Sequence, residues 1–425
     1  MRRATTRRAL SRALCLAALI ASGPAFPAAT AAPTPDEEAL YRDRVALING
    51  GRAADPTGIA LYQPLERIPG APSASPITAR RPGRQVIAPS ALAAAAEYAG
   101  RNNSSSLLVW HDGKLELATY FNGRTASDPV IARSLAKPVA AVAVGRAIDL
   151  QRIQSLDQPV GDFITEWRRS DRRQILVRHL IDMRAGFLAQ GPTFDGASIW
   201  ARAYLSPRHE QVMIDEYPLT HTPGTRYEYS NTPADLVAVL IERATGRRYA
   251  EFLSREIFQP LGAPGGQVWL NRPGGVAHAG CCLLAPPEFW LRLGILLLQD
   301  GVWEGRRLLP PGYVQAMVTP TPQNPWAGMS VYAAGSYIER RGAGHPDVAA
   351  PKTLHSEPYL AGDLFLFDGN SNQVVYIVPS LKLVIVRTGD EPPRVPEWDN
   401  TVLPNTIIRG LPERIRARAV AQPGP

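Results

Sequence analysis

Ser134 and Lys137 lie three residues apart in "RSLAKPVAAVAVGRAIDL", which runs from Arg133 to Leu150. On a helix such residues share a face, with Cβ atoms roughly 5–6 Å apart. The amine can therefore approach the hydroxyl, and a neutral amine in that place can take the hydroxyl proton and leave a nucleophile. Arginine could not do this, because it stays protonated, whereas a desolvated lysine can release its proton. The chain spends lysine sparingly: of 46 Lys and Arg, only Lys114, Lys137, Lys352 and Lys382 are lysine. Pro138 adds a constraint. Its ring would strike the carbonyl of Ser134 inside a regular helix, so Ser134 is expected at the helix mouth. Free N–H groups there favour an oxyanion. The plain alternative is a capping serine with a surface lysine.

A second candidate is "TPGTRYEYSNTPADL". Tyr229 and Asn231 fall just ahead of a capped helix and can project into one space. A phenol can relay a proton, and an asparagine can orient Lys137 or a substrate carbonyl. A buried tyrosine and an N-cap asparagine would look the same. Tyr120-Phe121-Asn122 repeats the pattern in a hairpin, so the pattern alone does not decide. Cys281 and Cys282 read as two small buried hydrophobes, since sequence neighbours rarely bridge. No pairing of Cys and His has the spacing of a zinc site, and neither a metal nor an organic cofactor is expected. His111, His179, His221, His345 and His355 read as ordinary structural histidines, with His355 near Lys352 and Glu357 as a weaker cleft candidate. "RRSDRR" at 168–173 reads as a solvated loop.

These groups need elements to hold them. "SSLLVWHDGKLELATYFNG" reads as a hairpin turning at Asp112-Gly113, and "DLFLFDGNSNQVVYIVPSLKLVIVRTGD" alternates strand-like runs with turn residues. Between them, 134–300 is helical in pattern. Strands at both ends and helices between predict an α+β fold: an antiparallel sheet joining early and late segments, with a mostly helical subdomain inserted. "APSALAAAAEYAG" predicts a helix ending near Gly100. Val139–Ile148, apolar on every side, predicts a helix buried all round. "SNTPADLVAVLIERATG" predicts a helix capped by Ser230 or Asn231, with Pro233 in its first turn and Gly246 at its stop. Residues 33–88, rich in Pro, Ala and Arg with weak periodicity, read as a loosely wrapped N-terminal extension.

The first 32 residues have the order of a secretory signal: a basic start, the short apolar run "LCLAALIA", then small residues with cleavage near Ala31 or Ala32. Arg7-Arg8 half-matches a twin-arginine signal. The apolar run is too short to anchor in a bilayer. A periplasmic or secreted location follows, with no membrane span after processing. Losing Arg2, Arg3, Arg7, Arg8 and Arg12 takes the formal charge from +8 to +3, so nucleic acid is not an expected partner. Composition is ordinary for a globular chain, with 45% hydrophobic and 20% charged residues, which argues against disorder.

The chain resembles the serine β-lactamase and penicillin-binding transpeptidase superfamily. It is most similar to the class C β-lactamase-like branch, with its family VIII carboxylesterases and 6-aminohexanoate-dimer hydrolases. The resembling stretches run in family order over about 105–390: "RSLAKPVAAVAVGRAIDLQRIQSLDQPVGDFITEW", "ILVRHLIDMRAGF", "PGTRYEYSNTPADLVAVLIERATGRRYAEFLSREIFQPLGA", "LLLQDGVWEGRRLLPPGYV" and "QVVYIVPSLKLVIVRTG". The resemblance implies that Ser134 is acylated, that Lys137 and Tyr229 share the general-base and general-acid roles, and that Asn231 positions Lys137 or substrate. It implies a hydrolase domain over 89–412, with the helical insertion at about 150–300 and a tail at 413–425. Members that handle β-lactams carry Lys-Thr-Gly on the strand lining the site. Here the only Lys-Thr is Lys352-Thr353, followed by Leu354, and the equivalent region is Phe367-Asp368-Gly369 or Asn370-Ser371-Asn372. Gly369, Asn370 and Ser371 are the supporting candidates, since an oxyanion hole needs only N–H groups. The expected substrate is a small ester or amide or a peptide. The alternatives are a β-lactamase or D,D-peptidase, and a non-catalytic binder of cell-wall peptide. Oligomeric state is not legible from the sequence.

Overall fold

The computed structural model describes residues 33–55, 58–72, 76–191, 195–325, 327–329, 331–333 and 353–419. The signal peptide read in 1–32, Lys352 and His345 lie outside them. Among the described residues no helix is long and apolar enough to cross a membrane.

The hairpin forms as the sequence dictates. Ser104–His111 and Lys114–Tyr120 pair antiparallel around Asp112 and Gly113, whose φ values of 42° and 86° are those of a two-residue turn matched to strand twist. Ser104–His111 then pairs with Leu383–Gly389, which continues to Gln373–Val378, Phe365–Gly369 and Tyr332–Ala333. Early and late segments thus share one antiparallel sheet of six strands. Side chains of successive residues leave a strand on opposite faces, and here both faces are covered. Val375, Ile377, Val384 and Val386 enter the larger core, which includes the helix Pro287–Leu298. Val374, Tyr376, Val378 and Ile385 enter a second core under the helices Pro89–Arg101 and Val402–Arg409. Burial on both sides explains why these strands read as continuous apolar runs.

The helical region holds a feature its sequence hides. A four-stranded sheet links Leu65–Ile68, Gly266–Trp269, Leu283–Ala285 and Val130–Ile131. Each strand is only two to four residues long and the segments are far apart in sequence. Ile131 pairs with Leu284, and Ala132 N–H donates to Leu283 O at 2.8 Å. The chain enters the Ser134 turn from this sheet.

The reading of 33–88 as loosely wrapped gives way over Pro35–Ala54 to helix, interrupted at Gly51, where φ is 54°. Its capping box pairs Thr34 N–H with Glu37 Oε2 (2.9 Å) and Glu37 N–H with Thr34 Oγ1 (3.3 Å). It docks through Tyr41, Val45 and Ile48 on one apolar stripe and through polar groups. Arg44 is buried and donates to the carbonyls of Gln63, Leu205, Leu270 and Asn271, while Arg208 grips Glu37.

Cys281 and Cys282 are bonded to each other, which corrects their reading as separate side chains. Cys282 takes a φ of 72°, and this left-handed backbone turns neighbouring side chains to one side, which extended chain does not. In the 168–173 segment Arg168, Arg169, Asp171 and Arg173 are exposed, as a solvated loop would be, and Arg172 turns inward. Arg172 lies over the rings of Trp167 and Phe187 and donates to Tyr217 O.

Gly145, inside the helix Ala136–Asp149, tests how tightly that helix is seated. A Cβ there would stand 2.5 Å from Cε1 of Tyr313, whose hydroxyl donates to Ala141 O at 2.6 Å. Helix propensity favours Ala over Gly by about 1 kcal/mol, but over-packing against a buried ring costs about 1–3 kcal/mol. Gly145→Ala is therefore expected to lower Tm. A Tm at or above that of the parent would show that the Tyr313 ring has room to retreat.

Candidate active site

Ser134 sits in a short 3-10 turn, Arg133–Leu135, that runs directly into the helix Ala136–Asp149. It precedes the regular helix, as Pro138 requires. Arg133 takes a φ of 52°, and its guanidinium lies over the Tyr62 ring and donates to the Tyr62 hydroxyl. The helix behind Ser134 is buried from Ala136 to Ala147 on every side.

Lys137 is 2% exposed. Of the other described lysines, Lys114 bonds Thr78 and Lys382 pairs with Asp112, both at the surface. Lys137 Nζ is 2.7 Å from Asn231 Oδ1, 2.7 Å from Gly280 O and 3.2 Å from Ser134 Oγ. Two of these neighbours are carbonyl oxygens, which only accept. They fix the direction of two N–H bonds and leave the third tetrahedral position of the nitrogen facing the hydroxyl.

Tyr229 and Asn231 reach the same place from the other segment. Ser230 is the N-cap of the helix Asn231–Thr245, accepting from Thr232 N–H at 3.3 Å, and Gly246 ends that helix with φ 69°. The stretch before it is zipped to residues 183–188. Glu228 N–H donates to Met183 O (3.0 Å), Gly224 N–H to Arg184 O (2.7 Å) and Leu188 N–H to Pro218 O (3.0 Å). Gly186 is required in this zip, because a Cβ there would lie 2.2 Å from His221 O and its φ is 82°. Tyr229 packs against Met183 and Tyr227, and its hydroxyl stands 2.7 Å from Ser134 Oγ. The Lys137 amine lies 5.1 Å from the centre of the Tyr229 ring. The structure thus brings Ser134, Lys137, Tyr229 and Asn231 into mutual contact.

The three glycine-rich candidates divide. Gly369 ends the strand Phe365–Gly369 and packs on the Ser134 turn, where a Cβ would come within 3.0 Å of both Ala132 O and Leu135 N. Asn370 is exposed, with its side chain accepting from Ser371 N–H. Ser371 has φ 65° and its carbonyl accepts from Arg387 at 2.5 Å. Neither Asn370 nor Ser371 lines the cleft. Asp368 does, together with Ser134, Lys137, Asp182, Met183, Tyr227, Tyr229, Asn324, Ala327 and Gly328. Asp182 bonds Arg184 through one oxygen, and burial pushes its carboxyl up. His355 and Glu357 are not in the cleft. His355 bonds Thr353 O and the Tyr359 hydroxyl, and Glu357 pairs with Arg409.

Sequence reading missed Gly280 and the residues behind it. Asp235 Oδ1 accepts from Gly280 N–H at 2.7 Å, and Oδ2 lies 3.3 Å from His278 Nδ1. His209 stands against His278 with ring centres 4.1 Å apart. The ligand atoms of His209, Asp235 and His278 all fall within 4.8 Å of one another, the one such group among the described residues. Burial pushes the Asp235 carboxyl up to about 6 and holds both imidazoles well below their ordinary value. These residues lie 26 and 43 positions apart along the chain, so no local spacing could reveal them.

The Beta-lactamase family model matches residues 91–394. A 6-aminohexanoate-dimer hydrolase from Paenarthrobacter ureafaciens is 26% identical over 223 residues, 48% of this chain and 55% of that one. The match therefore spans about half the length of that relative. A lovastatin esterase from Penicillium rubens is 34% identical over 74 residues, 16% of this chain and 18% of that one. A solved structure from Bacillus anthracis, provisionally described as a 6-aminohexanoate-dimer hydrolase, agrees with a TM-score of 0.63 at 19% identity, covering 84% of this chain and 94% of that one. EstCE1, described as a hydrolase with promiscuous acyltransferase activity, gives 0.55 at 15% identity, covering 78% and 98%. At such identities the likeness to the solved structures is one of fold. The family match, by contrast, takes in well over half of the sequence and all four groups that meet at the cleft: the chain belongs to the Beta-lactamase family.

Proposed function

We propose that the protein cleaves ester or amide bonds through an acyl-enzyme on Ser134. The observation that carries this reading is the double contact on one oxygen: Ser134 Oγ is within reach of the Lys137 amine at 3.2 Å and the Tyr229 hydroxyl at 2.7 Å. In the acylation step Oγ bonds to the acyl carbon and its proton passes to Lys137 Nζ. Tyr229 gives its phenolic proton to the departing alkoxide or amine and is reprotonated from Lys137 as the carbon–oxygen or carbon–nitrogen bond breaks. Water then enters the vacated place, gives a proton to the same pair and attacks the acyl carbon. The proton returns to Oγ as the acid leaves. Asn231 holds the amine in register. Gly369 keeps the end of its strand against the Ser134 turn, where backbone N–H groups can meet a developing oxyanion.

Ser134→Ala is expected to abolish labelling by a fluorophosphonate probe. Tyr229→Phe is expected to lower kcat for a nitrophenyl ester by about 10²–10⁴-fold, the usual contribution of a positioned proton donor. Full activity of the phenylalanine variant would remove the phenol from the mechanism.

The Lys-Thr-Gly cation of β-lactam-handling relatives has no counterpart at Phe367-Asp368-Gly369, and it is Asp368 that lines the cleft. A carboxylate repels the carboxylate that such a lysine would meet. The reading is therefore an esterase or amidase in preference to a β-lactamase or D,D-peptidase. Turnover of a short-chain nitrophenyl ester without turnover of a chromogenic cephalosporin is the expected pattern, and the opposite pattern would reverse this choice.

The basic and apolar order of residues 1–32 supports export. N-terminal sequencing of the protein recovered outside the cytoplasm should begin near residue 32 or 33. Recovery of the full-length chain in the cytoplasm alone would count against it.

A further inference from the structure

The Lys137 amine is aimed by two carbonyl oxygens, and they have different origins. Asn231 Oδ1 is a side chain at the start of its helix. Gly280 O is a backbone carbonyl, so its place depends on where residue 280 is held. What holds it is Asp235, whose Oδ1 accepts from Gly280 N–H at 2.7 Å. Asp235 stands one helical turn after Asn231, so both project from one face of the same helix. The approach is too close for any side chain at position 280. A Cβ there would lie 2.8 Å from Ala234 Cβ and 3.1 Å from Asp235 Oδ1.

The fold alone does not account for a carboxylate here. Asp235 is fully buried, and a buried charge is costly unless it is paired. Its neighbours His278 and His209 are buried imidazoles held neutral, with His278 stacked on Trp269 at 3.7 Å between ring centres. Lys137 lies across the single Gly280 residue, with its amine on the Gly280 carbonyl and Asp235 on the Gly280 N–H.

We propose that Asp235 is a positioning residue for Lys137, acting through Gly280: from the preceding peptide unit it anchors the residue whose carbonyl receives one amine proton, and so helps keep the amine aimed at Ser134. Asn231 and Asp235 then form a two-point brace, one direct and one relayed. This rests on the acyl-enzyme reading above.

The test uses the full chain with Asp235→Asn, Asp235→Leu and Ser134→Ala, a fluorophosphonate probe, a nitrophenyl ester and the melting temperature. Asparagine retains an oxygen for Gly280 N–H, whereas leucine fills the same volume without one. The leucine variant is expected to stay folded and to lose about 100-fold in labelling rate and kcat, with KM nearly unchanged, as for loss of a transition-state interaction. The asparagine variant is expected to recover to within about tenfold of the parent. If leucine prevents folding, Asp235→Ser replaces it, since its shorter side chain abandons the Gly280 N–H. Parent-like labelling in a folded leucine or serine variant would overturn the proposal, as would an asparagine variant as impaired as either. A parent protein that is not labelled at all would overturn the acyl-enzyme reading and this inference with it. Parent labelling lost in Ser134→Ala but kept in Asp235→Leu would overturn the inference alone.

Discussion

The site depends on where the hydrogens of one amine point. Lys137 is buried and meets two carbonyl oxygens and one hydroxyl. Carbonyl oxygens cannot donate, so the amine must give them its protons, and the geometry of nitrogen then decides what faces Ser134. An arginine in that place would bring a planar fork that is always charged. The scarcity of lysine makes sense in this light. The chain meets most of its needs for buried cations with arginine: Arg292 pairs with Glu288, while Arg44 and Arg387 donate to backbone carbonyls. Lysine alone can work both as a donor and as a base.

The remaining architecture serves that geometry from three directions. The small sheet delivers the chain to Ser134 through Ile131 and Leu284. The 183–188 and 218–228 zip delivers Tyr229. The large sheet delivers Gly369, at the end of the strand Phe365–Gly369, to the backbone of the Ser134 turn. Helices Ala136–Asp149 and Asn231–Thr245 are packed together in the larger core, so the separation of Lys137 and Asn231 is set by close-packed apolar contacts. A shift of either helix would be felt first at the amine.

What the sequence could show follows from distance along the chain. Ser134 and Lys137 are a helix turn apart, Tyr229 and Asn231 flank a cap, and Asp112-Gly113 is a turn in itself. Each signal is local. The central strands were legible because burial on both faces leaves long apolar runs. The four-stranded sheet was not, since strands of two to four residues carry no period. The helix Pro35–Ala54 was hidden because its apolar stripe is short, Tyr41, Val45 and Ile48 being only partly buried, and Arg44 and Glu37 supply the rest of its hold. The brace through Gly280 was invisible for a third reason: a backbone carbonyl has no letter in the sequence, and its partner Asp235 lies 45 residues away. The cysteine pair misled because the left-handed turn at Cys282 is a tertiary fact.

That cysteine pair follows directly on Gly280. A cross-link between neighbours closes no loop worth mentioning, so it removes little freedom from the unfolded chain and adds little to global stability by that route. Its effect is confined to the native molecule and to a few atoms. It ties the two residues after the lysine's acceptor into one small ring, in which the torsions of that stretch can no longer turn independently. Tyr204 presses its hydroxyl to within 3.1 Å of the Cys281 sulfur from the other side. The cross-link thus lies beside the reacting groups, where it acts as a local splint.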